Sequence, residues 1–260
     1  HLPSAPRRIG VRGAALSFID VCLLYGDTAE VIFPVSRSGR FMEVKPAPGT
    51  PQPEIPADLR RACAGVKDAA ELRDILLTAA SSMGEFSIGD LAAVIDGQDF
   101  SGDAVAELES SLRAAKGTGP LTPAAAVGAA FRELFQECVD WHKAHCPMPG
   151  FRELSRTLER VAFGPPPVTA RRVLELIHTG VVDTRYLAAP DQIDHWREEG
   201  GIDLLIDATV APQATPSPFH DVPGVVEIGR MNELELPGHD SLNRSVHDDI
   251  PRWAEKVGNP

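Results

Sequence analysis

The chain has 260 residues, of which 43% are hydrophobic and 24% charged, a composition that is ordinary for a folded globular protein. Its 25 basic and 37 acidic side chains give a formal net charge of −12 at pH 7, which argues against binding to nucleic acid or to an anionic membrane surface. With no apolar run long enough for a transmembrane helix, no secretion signal and four irregularly spaced cysteines, the sequence predicts a cytoplasmic protein with reduced thiols.

The first 40 residues carry the clearest pattern. Residues 7–12 predict a short strand that ends at Gly13, and residues 14–25 carry apolar side chains at helical spacing. A second strand, rich in valine, isoleucine and phenylalanine, is predicted over residues 29–36. A strand, a glycine turn, a helix and a second strand in this order form a βαβ unit, which implies a parallel sheet.

The middle of the chain is predicted to be a helical insertion. Residues 46–56 contain five prolines and mark a linker, after which the pattern is helical as far as about residue 161. Ser87 is predicted to cap one helix, and Thr122, followed by Pro123, to cap another. The second helix places seven side chains on one core-facing stripe: Val127, Phe131, Leu134, Phe135, Cys138, Trp141 and His142.

The sheet is predicted to resume after a second proline-rich break at residues 164–167. Thr169 is predicted to cap a helix that ends at Gly180, and residues 181–187 are predicted to form a strand. Residues 201–209 carry the strongest single strand pattern in the chain and are apolar enough for a central strand. A short strand over residues 224–228 and a partly helical tail complete the prediction.

The glycine turn is the first candidate site. A dinucleotide-binding turn needs small residues, so that backbone N–H groups can approach a pyrophosphate at the helix N-terminus. The turn keeps the first glycine of that motif, but Ala15 and Phe18 replace the second and third, where we expect a β-carbon and a ring to crowd the pyrophosphate. The candidate contacts are Gly13, Ala14, Ala15 and Ser17. The alternative is a plain strand-to-helix turn that binds nothing.

The end of the second predicted strand is the second candidate site. An NAD-binding fold usually carries an acidic residue there for the ribose hydroxyls, whereas a 2′-phosphate calls for arginine. This chain has Ser36, Arg37 and Arg40 and no acid, which favours NADP. The alternative is a solvated basic loop.

Several segments resemble one family. "IGVRGAALSFID" at residues 9–20 is similar to the turn that opens the second nucleotide-binding domain of two-domain flavoproteins, and "VSRSGR" at residues 35–40 resembles the "SRRG" of bacterial FAD/NAD(P)-binding proteins. "IDAT", ending at Thr209, resembles the start of that superfamily's "DATG" strand, and "VPGVVEIGR" at residues 222–230 resembles its "PGLYAIGD" segment. The segment from Gly238 to Ala254 resembles the tail of actinobacterial members.

The residue patterns, together with the resemblance at both ends of the chain, predict an α/β fold, a Rossmann-like parallel sheet with a large helical insertion. The Rossmann-like NAD(P)-binding domain would comprise residues 1–45 and 165–215, and the insertion residues 46–164. Residues 216–260 would form a C-terminal arm that packs on a flavin domain.

The resemblance also implies the cofactors. NADPH would bind near the two candidate sites and Thr209 and pass hydride to a flavin held elsewhere. In such flavoproteins the FAD-binding portion precedes the segment that begins this chain, and Arg230 stands in place of a flavin-contacting aspartate. We therefore expect FAD only with a missing N-terminal half, supplied as a separate chain or as a removed segment. No catalytic residue is identified.

Two alternatives of other classes remain open. One is a non-catalytic binding or regulatory module with a degenerate nucleotide site, and the other is one subunit of a split flavoenzyme. No metal site is expected. Two clusters of residues of the types that bind metals are present. The first lies on a single helix, which cannot surround a metal ion, and the second, in the tail, is interpreted as a solvated polar end. These clusters are Cys138, His142, His145 and Cys146, and His239, Asp240, His247, Asp248 and Asp249.

Overall fold

A computed structural model describes residues 6–47, 49–50, 54–145, 148–209, 251 and 253–255. Three short strands form one parallel sheet in the order β2-β1-β3. They are β1 (Arg8–Arg12), β2 (Val31–Val35) and β3 (Leu204–Asp207). The described fold is therefore α/β, as predicted, with much more helix than strand. The predicted strand at 224–228, most of the predicted C-terminal arm and the tail His/Asp cluster lie outside the described residues.

The helices of the described residues are α1 (Leu16–Tyr25), α2 (Ala57–Cys63), α3 (Ala69–Ser81), α4 (Ile88–Ile95), α5 (Ala104–Ala115), α6 (Pro123–His145), α7 (Phe151–Ala162), α8 (Pro167–His178) and α9 (Gln192–Glu198). None of the described helices combines the length and the hydropathy needed to cross a membrane.

One detail of the predicted sheet is wrong, and the central place predicted for residues 201–209 is not seen among the described strands. The apolar strand β3 lies at an edge of the described sheet, and β1 takes the central place. Residues 181–187 do not form a strand, because only Val182 bridges to β2, at Ile32. The Asp183 side chain accepts a hydrogen bond from the backbone N–H of Arg185 at 3.1 Å, and this local turn ends the pairing.

The sheet is covered on both faces. Because side chains alternate along a strand, Ile9 and Val11 of β1 enter a core formed with α1 and α8. Gly10, between them, faces the other way, where an added Cβ would lie 3.1 Å from Ile193 of α9. On that same face Phe33 packs on Trp196, with ring centroids 4.5 Å apart. The sheet thus forms the middle of three layers.

The helices divide between two cores. Residues of α2, α3, α4, α6 and α7 form one apolar cluster that contains no strand residue. Leu108 and Ala115 of α5 belong instead to the core beneath the sheet, with α1 and α8. The helical region is therefore not wholly separate from the sheet, because its helix α5 packs in the core beneath the sheet.

The chain leaves and re-enters the sheet region at one crossing. The backbone N–H of Glu43 donates to the carbonyl of Arg160 at 2.9 Å, and that of Lys45 donates to the carbonyl of Pro165 at 3.0 Å. Gly164 lies at this crossing, and a Cβ there would collide with the carbonyl oxygen of Glu43. Only glycine lets the two segments approach so closely.

The predicted caps are confirmed at two helices and wrong at a third. The Ser87 hydroxyl accepts from the N–H of Asp90 at 3.0 Å, and the Thr122 hydroxyl accepts from the N–H of Ala125 at 3.1 Å. Helix α8 begins at Pro167 rather than after Thr169, because proline is pre-organised for the first helical position.

The buried stripe of α6 predicts the effect of one substitution. Trp141 is 6% exposed within the helical core, so Trp141→Ala should lower the free energy of unfolding by about 3–5 kcal/mol. Trp253, which is 43% exposed, is the matched control, and Trp253→Ala should change stability by less than about 0.5 kcal/mol. Urea unfolding followed by circular dichroism measures both. A loss below about 1 kcal/mol for Trp141→Ala would contradict the packing of this stripe.

Candidate functional site

The candidate site lies where the three parallel strands end. Arg12, the last residue of β1, is opposite Val35 at the end of β2 and Asp207 at the end of β3. The turn into α1, the loop after β2 and Thr209 all follow these ends directly. The sequence-predicted residues from three separate parts of the chain are therefore brought to one edge of the sheet, with Arg40 as the exception described below.

Gly13 is required by the geometry of this edge. Its φ is +116°, a conformation that strains any other residue, and its N–H donates to the carbonyl of Val35 at 2.8 Å. A Cβ at this position would lie 2.9 Å from the carbonyl oxygen of Ala208. The glycine thus lets the turn pass between the ends of both neighbouring strands.

The N-terminus of α1 has no protein cap. Ala15 occupies the N-cap position in an extended conformation and its side chain cannot accept a hydrogen bond. The first turn contains no acidic residue. In the described part of the chain, the backbone N–H groups of Leu16, Ser17 and Phe18 have no acceptor, and the Ser17 hydroxyl has no partner. These donors and the positive end of the helix dipole can bind an anion.

The side chains of the turn do not block this terminus. Ala14 is buried under the sheet, whereas Ala15 and Ser17 are exposed at the edge. Phe18 is fully buried and its ring stacks on Phe41, with centroids 5.8 Å apart. The expectation that the Phe18 ring crowds a pyrophosphate is therefore wrong, because the ring points into the core.

The loop after β2 is held in one shape by its own hydrogen bonds and by a neighbouring segment. The Ser36 hydroxyl accepts from the N–H of Gly39 at 3.1 Å, and the Ser36 N–H donates to the carbonyl of Leu187 at 2.7 Å. Gly39 has a φ of +63° and packs on Ala188. This arrangement leaves Arg37 exposed, with no hydrogen bond or ion pair to any described residue.

Arg40 does not belong to this site, and its predicted role as a phosphate ligand is corrected by its contacts. Its guanidinium is 6% exposed and donates to both carboxylate oxygens of Asp99, at 2.5 and 2.9 Å, and to Glu107 at 3.1 Å. It also lies over the ring of Phe100, 5.3 Å from its centroid. These hydrogen bonds occupy N–H donors of the guanidinium that a 2′-phosphate would need. Arg40 therefore links the loop after β2 to Asp99 and Glu107.

The partners of Arg40 form a buried ionic network between the two cores. Arg160 of α7 also contacts Asp99, at 3.2 Å. The pKa of Asp99 is lowered because the hydrogen bonds and charges of the two arginines outweigh its desolvation, whereas burial raises the pKa of Glu43 nearby. This network could not be predicted from local sequence patterns, because Arg40 and Asp99 are 59 residues apart.

Charged groups at the strand ends also pair with one another. Arg12 donates to Asp194 of α9 at 2.7 Å and lies 3.6 Å from Asp207. The pKa of Asp207 is lowered, chiefly because the Thr209 hydroxyl and N–H both donate to it. Thr209 therefore orders the end of β3, and its own hydroxyl proton is committed to Asp207.

Metal binding finds no support in the described ranges. No group of three or more histidine, cysteine, aspartate or glutamate side chains there is placed to hold a metal ion. Of the cluster on α6, Cys138 lies in the helical core, and the side chains of His142, His145 and Cys146 lie outside the described residues.

No model of a protein family, no curated protein and no solved structure matches this chain.

The internal role of Arg40 predicts different effects for two arginines of one loop. Arg40→Ala leaves two carboxylates without their main partner in a buried setting and should lower the free energy of unfolding by about 3 kcal/mol. Arg37→Ala removes the same charge from an exposed position and should change it by less than about 0.5 kcal/mol. Urea denaturation at neutral pH compares them, and equal stability of the two variants would refute the network's role.

Proposed function

We propose that this chain is the NAD(P)H-binding portion of a flavin-dependent oxidoreductase, with a Rossmann-like domain of the two-dinucleotide-binding-domain type. The nucleotide lies across the ends of the strands, with its pyrophosphate at the N-terminus of α1 and its adenosine ribose beside the loop after β2. The uncapped helix terminus that follows Gly13, at the carboxyl edge of a parallel sheet, is the observation that carries this proposal.

The terminus of α1 has the chemistry of an anion-binding site. Asp68, Ser87 and Asp103 satisfy the first N–H donors of α3, α4 and α5 with their side chains, whereas α2, α7, α8 and α9 have no side-chain cap. Helix α1 differs from these uncapped helices because it begins at the carboxyl edge of the sheet, with no hydrogen-bond acceptor in the side chain at its N-cap position. The terminus of α1 has an alanine at that place and an exposed serine two residues later. A bound phosphate group would supply the missing acceptors.

An exposed cation lies in the loop after β2. With Arg40 engaged elsewhere, Arg37 is the arginine of this loop that is available to a ligand. It follows the end of β2, where a dinucleotide-binding fold contacts the 2′ position of the adenosine ribose. An arginine there favours NADPH over NADH by charge-assisted hydrogen bonds to the 2′-phosphate.

In this proposal the cofactors carry out the redox chemistry, and the residues of this chain bind and orient the nucleotide. Bound NADPH would supply the hydride, and the flavin that accepts it would be held by a portion of the enzyme other than the described residues. The chain's own residues bind and orient: the N–H groups of the first turn of α1 hold the pyrophosphate, the loop beginning at Ser36 positions the ribose, and Arg37 selects the phosphorylated nucleotide.

A second candidate function is one subunit of a split flavoenzyme. Helix α1 presents three exposed leucines on its outer side: Leu16, Leu23 and Leu24, which are 45%, 50% and 70% exposed. Adjacent exposed apolar side chains favour a surface that contacts another polypeptide. This candidate keeps the same nucleotide site and differs only in where the flavin-binding portion resides.

The nucleotide preference tests the proposal. The chain should bind NADPH more tightly than NADH in calorimetric titrations, and Arg37→Ala should remove most of that difference, about 1–3 kcal/mol. Arg61→Ala is the matched control, because it removes the same charge from an exposed position on α2 and should leave the preference intact.

Two outcomes of these titrations would contradict the proposal. Equal affinity for the two nucleotides in the unaltered protein would refute the role of Arg37. No binding of either nucleotide would refute the proposed function and favour the regulatory module with a degenerate site.

A further inference from the structure

Two buried cysteines of the helical core are in contact. Cys63 is the last residue of α2, and Cys138 lies in α6, 75 residues further along the chain. Their Sγ atoms are 3.7 Å apart, and the two residues are 0% and 1% exposed. Neither is required by the proposed nucleotide site, which lies at the edge of the sheet.

Packing of the two helices fixes this contact. Arg60, one turn before Cys63, donates to the backbone carbonyl of Glu133 at 2.5 Å and to its carboxylate at 3.0 Å. The same guanidinium donates to Glu137, the neighbour of Cys138, at 2.9 Å. Three hydrogen bonds thus hold α2 against α6 immediately beside the two thiols.

The two thiols differ in acidity. The pKa of Cys63 is lowered, chiefly because the Cys138 thiol can donate a hydrogen bond to its sulfur, and the charge of Arg60 acts in the same direction. The pKa of Cys138 is raised by that hydrogen bond and by burial. Burial beneath the sheet raises the pKa of Cys22 to about 12. The charge of Arg60 favours the thiolate of Cys63, so Cys63 is the nucleophile of the pair.

We propose that Cys63 and Cys138 form a reversible disulfide by exchange with a small-molecule disulfide such as oxidised glutathione. The Cys63 thiolate attacks one glutathione sulfur, the glutathione disulfide bond breaks, and the first glutathione leaves as a thiolate. Cys138 then gives up its proton and attacks the Cys63 sulfur, which releases the second glutathione thiolate. Two protein thiols are oxidised and one glutathione disulfide is reduced to two thiols.

The crosslink changes the helical core rather than the sheet. The two sulfurs must close from contact distance to about 2.05 Å, a small shift for the end of a seven-residue helix. The bond closes a long loop that contains α3, α4 and α5 and so restricts the unfolded chain. Oxidation therefore stabilises the packing of α2 on α6.

The test uses a variant that retains only these two cysteines, Cys22→Ala/Cys146→Ser. The variant and the unaltered protein are equilibrated in glutathione redox buffers, with and without denaturing urea, and the crosslinked peptides are identified by mass spectrometry. Equilibrium is measured rather than rate, because buried thiols require a local opening before they react. The matched controls add Cys63→Ser or Cys138→Ser to the same variant.

The expected result is a Cys63–Cys138 disulfide whose equilibrium constant for formation is at least about tenfold larger in the folded protein than in urea. The oxidised protein should melt about 5 °C or more above the reduced protein, and a thiol reductant should reverse the shift. Neither single-cysteine control should show a redox-dependent melting temperature. An equal constant in folded and unfolded protein, or crosslinks confined to other cysteines in the unaltered protein, would overturn the proposal.

Discussion

The parallel pairing of β1 with both β2 and β3 is the constraint on which the rest of the fold depends. Parallel strands cannot be joined by a tight turn, so each connection must cross back over the sheet. The first crossover is α1, and the second runs through every helix from α2 to α9 before it reaches β3. Both crossovers leave the carboxyl ends of the strands at one edge. The candidate site follows from that arrangement and not from any single residue.

Buried charge connects this edge to the helical region. Arg40 leaves the loop after β2 and inserts its guanidinium between Asp99 and Glu107, and Arg160 completes the network from α7. Breaking such a buried pair costs more than its formation contributes, because one charge is left without a partner. The network therefore specifies how the outgoing and returning segments cross. It also means that nucleotide selectivity in our proposal depends on Arg37 alone within this loop.

The sequence predicted the parts of the fold that depend on local patterns. The βαβ unit, the caps at Ser87 and Thr122 and the buried face of α6 each depend on residues within a few turns of one another. The prediction was wrong at residues 181–187, where a turn at Asp183 leaves a single bridge from Val182 to Ile32.

The residues of the candidate site were also predictable only where nearby residues determine their role. Gly13 and the uncapped terminus of α1 were recognisable from the turn itself. The internal role of Arg40 and the contact of Cys63 with Cys138 were not, because their partners are 59 and 75 residues away. The inward orientation of Phe18 was also missed, since spacing alone does not tell which face of the first helical turn packs on Phe41.

Ala15→Asp tests whether the terminus of α1 binds the pyrophosphate. An aspartate at this N-cap should bond the free N–H groups and raise the free energy of unfolding by about 0.5–2 kcal/mol. The same carboxylate should weaken NADPH binding at least about tenfold by repulsion and competition, whereas Ala15→Asn should stabilise the helix with a smaller loss of affinity. If Ala15→Asp gains stability and binds NADPH as tightly as the unaltered protein, the pyrophosphate does not bind at the terminus of α1.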